Sequence, residues 1–80
     1  KMNRRVTKRG HNDWADLRGK TIQFEFHTPW EDDSHRVTLQ FSHTQHYYED
    51  PRYPRYYVMD EDGGGYSFWE DDEVEVEILD

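Results

Sequence analysis

From Thr21 to Phe26 apolar and polar residues alternate, Ile22, Phe24 and Phe26 against Thr21, Gln23 and Glu25. A period of two is the mark of a strand with one buried face. The same pattern returns in Val37, Leu39 and Phe41, set against Thr38, Gln40 and Ser42. It is sharpest near the end of the chain, where Val74, Val76 and Ile78 alternate with Glu73, Glu75 and Glu77. Two shorter runs, Arg55 to Met59 and Tyr66 to Trp69, flank the sequence Asp-Glu-Asp-Gly-Gly-Gly at Asp60 to Gly65. Glycines that tolerate positive φ make this the strongest hairpin signal in the chain. Pro29 closes the first strand, an acidic loop runs to Ser34, and Glu70 to Asp72 forms the last turn.

Upstream the period changes. His11 to Gly19 reads as a short helical turn that Asn12 or Asp13 can cap and Gly19 can stop. Trp14 and Leu17, three apart, share one face of it and can plug an end of the core. Residues 1–10 carry Lys1, Arg4, Arg5, Lys8 and Arg9 with only Met2 and Val6 as apolar residues. That is too little to bury, and the segment reads as a flexible basic arm. Residues 11–80 then form a single small domain. The prediction is a mainly all-β fold, either a small five-stranded antiparallel SH3-like barrel or a strongly bent sheet. An OB-type barrel is disfavoured because no helix lies between the third and fourth strands.

With aliphatic residues scarce and 16% of the chain aromatic, rings must supply much of the buried area. Charge is divided unevenly along the chain. Residues 1–20 hold seven Lys or Arg against two Asp, a balance of +5, and residues 21–80 hold three Arg against sixteen acids, a balance of −13. A body this acidic repels nucleic acid and attracts basic surfaces. No cysteine is present, which removes disulfides, thiolate metal sites and cysteine nucleophiles and points to a cytoplasmic setting. No run is long and apolar enough for a membrane-spanning helix.

Two surfaces stand out as candidates for binding. Glu70, Asp71, Asp72, Glu73, Glu75 and Glu77 would place carboxylates at about 6.8 Å intervals along one strand face, an array able to imitate a phosphate backbone. The plainer reading is a solvated face that keeps the domain soluble. Tyr47 to Arg55 reads as an ordered excursion between strands. It contributes Tyr53 and, with Tyr56 and Tyr57 in the strand that follows, suits a protein hot spot or a lid over the core. With Arg4, Arg5, Lys8 and Arg9 of the arm, Arg52 and Arg55 could instead bind nucleic acid, rings stacking on bases.

Metal and catalytic chemistry find less support. His43 and His46 are three apart, a spacing that sets them on opposite faces of a strand, so no ligand cluster is expected. Asp60 and Asp62 resemble part of a calcium loop that lacks its closing glutamate. No nucleophile motif or phosphate-cradling loop occurs. The expectation is a non-enzymatic interaction protein without cofactor, docking on the basic, nucleic-acid-binding surface of a partner and inhibiting it by mimicry. Phage-encoded inhibitors and nuclease immunity proteins are similar to it in charge and size. The alternatives are a small nucleic-acid-binding barrel, or a structural or adaptor subunit that packs by a strand edge.

Overall fold

The computed structural model describes residues 3–27, 32–47, 51–52 and 54–80. Six strands, β1 (Arg4–Arg9), β2 (Thr21–Phe26), β3 (His35–Tyr47), β4 (Arg55–Asp60), β5 (Gly65–Trp69) and β6 (Glu73–Ile78), follow one another, with a 3₁₀ helix at His11–Leu17 between the first two. Every pairing is antiparallel. The strand order is β1-β6-β2-β3-β4-β5, so the first strand lies beside the last and the sheet stays open between β1 and β5. No helix among the described residues is long and apolar enough to cross a membrane.

The sheet is curled. In a flat sheet β2 and β5, three steps apart, would be about 14 Å from each other. Their rings touch instead, with Phe24 and Phe68 centroids at 5.5 Å and Phe26 and Tyr66 at 5.2 Å. Trp14 fills the hollow, meeting Phe24, Phe41, Tyr56 and Phe68 at centroid distances of 5.8–6.2 Å. Its indole Nε1 donates to the hydroxyl of Tyr56 at 3.1 Å. Trp14 and Leu17 are fully buried, as their spacing predicts, with Ile22, Phe24, Phe41, Val58, Val76 and Ile78 around them. The helix begins at Gly10 with no side-chain cap, and Asp13 instead accepts the Arg9 N–H at 2.9 Å.

Two expectations need correction. Five strands become six, because the basic segment is a strand and not a flexible arm. Arg4 to Arg9 pairs residue for residue with Ile78 to Glu73. Its own apolar content is small, but β6 needs hydrogen-bond partners along that flank, and β1 supplies them. Inward, Val6 packs on the core, while Lys8 is buried and donates to Asp16 Oδ1 at 2.8 Å. Outward, Arg5 and Arg9 stand across from Glu77 and Glu73.

The second correction concerns β3, which continues well past Ser42. Phe41 pairs with Asp60 and His43 with Met59, leaving Ser42 as an extra residue in a bulge. One extra residue exchanges the faces of all that follow. Before the bulge Leu39 and Phe41 are buried; after it Thr44 and His46 are the positions turned inward, with His43 and Gln45 exposed. Tyr47 and Arg55, the ends of the expected excursion, form the last pair of the β3–β4 hairpin, and residues 48–50 and 53 between them lie outside the described residues.

Candidate functional site

The β6 carboxylates behave as their alternation predicts. Glu73 and Glu75 are exposed and Glu77 half-buried, while Val74, Val76 and Ile78 lie inside. The face they occupy, however, is not purely acidic. Arg5 approaches Glu75 at 3.9 Å, Asn3 donates to Glu77 at 3.2 Å, and Arg9 Nε donates to the backbone oxygen of Asp71 at 3.1 Å. On the neighbouring strands Arg36 pairs with Glu25 at 3.2 Å. Cations and carboxylates interleave, which lowers the charge density that imitation of a phosphate backbone requires.

The basic residues likewise form no single patch. Lys8 points into the fold and Arg5 out of it, and Arg4 and Arg52 are exposed on separate elements. Arg55 hydrogen-bonds to Ser67 and lies 4.9 Å from the centroid of the Trp69 ring. Of the tyrosines, Tyr53 lies outside the described residues. Tyr56 is a correction: it is fully buried and unavailable to a partner. Burial pushes its hydroxyl up to about 12, the donated Trp14 hydrogen bond acting in the opposite sense. Tyr57 is half-buried, its ring edge-to-face with Tyr47 at 5.5 Å.

A site that alternation did not reveal opens where β2 and β6 part. These strands pair only at Ile22–Ile78 and Gln23–Glu77. Beyond that point they splay, and a groove of about 610 Å³ runs between them and β5. Phe26, Phe68 and Val74 line it, and Trp69 at its side is the one large hydrophobic residue exposed among those described, at 42%. Glu25, Asp72, Glu73 and Glu75 also line it, against the single guanidinium of Arg55. Asp72 and Glu73 form no ion pair among the described residues. The groove is therefore apolar below and acidic around. Among the described residues β5 beside it pairs only with β4, leaving one strand edge open.

The bulge in β3 creates a second juxtaposition. His46, turned inward, meets His11 from the start of the 3₁₀ helix and Glu70 from the β5–β6 turn. His11 Nδ1 lies 3.2 Å from Glu70 Oε1 and His46 Nε2 lies 3.5 Å from Oε2. The two imidazoles are in edge contact, centroids 3.8 Å apart. Residues 11, 46 and 70 are too distant in the chain for spacing to connect them. The Asp60 turn, in contrast, is only a turn: its Oδ1 accepts the N–H groups of Asp62 and Gly64 at 2.8 and 2.9 Å.

Comparison with protein-family models, with curated proteins and with solved structures finds no match to this chain.

Proposed function

We propose that this protein is a non-enzymatic interaction module that holds a basic segment of a partner protein in the groove between β5 and β6. The observation that carries the reading is the composition of that groove: an exposed tryptophan beside a phenylalanine floor, ringed by four carboxylates and one arginine. Apolar anchors seat on Trp69, Phe68 and Phe26, and Lys or Arg side chains of the partner meet Asp72 and Glu73. Aromatic anchors in pockets supply most interface energy, and complementary charge adds speed of association and selectivity. The open edge of β5 offers main-chain hydrogen bonds to an extended segment.

We read the curl as that of a small SH3-like barrel left open at this seam, working in the cytoplasm, as the absence of cysteine suggests. Within this reading the carboxylates of β6 contribute to the rim of the groove more than to a phosphate-like array, because β1 already sets arginines among them. A nucleic-acid-binding surface on the partner remains the kind of basic target such a groove suits.

The test uses fluorescein-labelled short peptides, Lys/Arg-rich with one aromatic or leucine anchor, against acidic counterparts of the same length. Anisotropy should show salt-sensitive binding of the basic set alone. Trp69→Ala and the Asp72→Lys/Glu73→Lys pair should each weaken it at least about tenfold, the size of a hot-spot truncation. No binding by the wild-type protein at low salt, or binding untouched by both variants, overturns the proposal.

A further inference from the structure

Independent of the groove, we propose that His11, His46 and Glu70 form a binding site for a divalent transition metal, with zinc the best match. The donor set decides the class of metal. Two imidazole nitrogens and a carboxylate suit zinc and its neighbours, whereas calcium and magnesium require oxygen ligands throughout. Two histidines and one acid also leave one tetrahedral position for water or an outside ligand.

The geometry is close to what the metal needs. Zinc bonds near 2.05 Å at the tetrahedral angle put neighbouring ligand atoms about 3.3 Å apart. His11 Nδ1 is 3.2 Å from one Glu70 oxygen, Oε1, and His46 Nε2 is 3.5 Å from the other, Oε2; with one ligand atom taken from each residue, the three fall within 4.8 Å of one another. Small side-chain rotations close the remainder. This is the one group of three such ligands among the described residues.

A supporting shell already holds the ligands. Glu70 Oε1 accepts the backbone N–H of His11 at 3.0 Å, and the Thr44 hydroxyl donates to the His11 carbonyl at 2.8 Å. The backbone N–H of Glu70 donates to the Pro54 carbonyl at 3.0 Å. Gly10, at φ 80 and ψ 158, makes room: a Cβ there would lie 2.7 Å from Glu70 Oε1. Glu70 Oε2 is buried and makes no hydrogen bond among the described residues, with His46 its near neighbour. Such orientation of ligands by a second layer is typical of metal sites. The side chains keep 23–28% of their surface exposed, so a metal can reach them. Once bound, it ties the start of the 3₁₀ helix to the far end of β3 and to the β5–β6 turn.

The test is calorimetric titration of the full chain with zinc chloride at neutral pH, alongside thermal unfolding with and without the metal. One zinc per chain should bind, and the unfolding midpoint should rise with zinc concentration. His11→Gln, His46→Gln and Glu70→Gln should each weaken binding at least about tenfold, while His27→Gln and His43→Gln leave it unchanged. Since a ligand variant could fail to fold, wild-type imidazole resonances give a second reading: those of His11 and His46 should shift on zinc addition and those of His27, His35 and His43 should not. Absence of saturable binding, binding that persists in all three ligand variants, or shifts confined to the other histidines overturns the proposal.

Discussion

Replacing Tyr56 by Phe removes one oxygen from the centre of the molecule and leaves the shape of the ring intact. That oxygen accepts the Trp14 Nε1–H at 3.1 Å, and both residues are fully buried. The phenylalanine variant strands an indole N–H where water does not reach. An orphaned buried donor costs about 1–3 kcal/mol. With an unfolding entropy of about 2.1 cal/mol/K per residue, 80 residues give a midpoint shift of about 6 °C per kcal/mol, so a fall of about 6–18 °C is expected. Circular dichroism during thermal and urea unfolding measures it, and a cycle with Trp14→Phe should return a coupling near 1 kcal/mol. Phenolate absorbance supplies an independent check. The native state favours the neutral phenol of Tyr56, so the stability this contributes is complete below about pH 10, the ordinary tyrosine value. It is lost as pH rises through the folded value of about 12. One late-titrating tyrosine should be present in the wild type and absent from the variant. A Tyr56→Phe protein within about 0.5 kcal/mol of wild type, which is less than one ordinary hydrogen bond, would refute the assignment of this pair as a core element.

Deleting residues 1–9 should abolish cooperative unfolding, or come close to it. Six residue pairs of the β1–β6 ladder vanish with Val6 and Lys8, and a domain of this size has only about 4–12 kcal/mol in total; unchanged melting of the truncated chain would restore the flexible arm. Asp16→Asn should cost about 1 kcal/mol, because Lys8 is buried while Asp16 is largely exposed and partly screened. The Lys8 hydrogen bond holds the Asp16 carboxyl below its ordinary value. Its contribution is thus present above about pH 4 and lost as pH falls through the lower folded value, and the variant should show a shallower acid limb in unfolding monitored against pH. Gly10→Ala should destabilise more than Gly19→Ala, although both glycines have φ near 80. A Cβ at Gly19 meets open space and costs about 1–2 kcal/mol, whereas at Gly10 it also meets the Glu70 carboxylate; equal midpoints would remove that contact from consideration.

Much of the sheet was legible because its strands bury one face. Ile22, Phe24 and Phe26 in β2 and Val74, Val76 and Ile78 in β6 announce themselves by alternation, and Trp14 with Leu17 by their spacing. β1 did not, since its place depends on another strand. Its inward positions are Val6 and Lys8, and only Val6 looks apolar, although a lysine stem can cover apolar surface while its ammonium finds a carboxylate. One signal was available: Arg5, Thr7 and Arg9 repeat with the same period as Glu73, Glu75 and Glu77. Complementary charge with period two in the first and last segments of a chain is a pairing pattern. Tyr56 misled for a different reason, since tyrosine suits a core with a buried donor as well as it suits an interface.

The candidate sites were hidden by a single residue and by a divergence. Counting alternation from Leu39 and Phe41 puts His46 on the solvent side, and nothing in Phe41-Ser42-His43 marks a bulge, there being no glycine. The extra residue at Ser42 reverses the faces and carries His46 to His11 and Glu70. The groove has no local signature either, because it exists where β2 and β6 stop pairing after two residue pairs. Sequence also exaggerated the division of charge. Folding lays a +5 segment against a −13 body, so the acid left for a partner is the part that forms no ion pair among the described residues. Asp72 and Glu73 at the mouth of the groove are that part, and they stand beside Trp69, the exposed ring that a basic segment with an apolar anchor would cover.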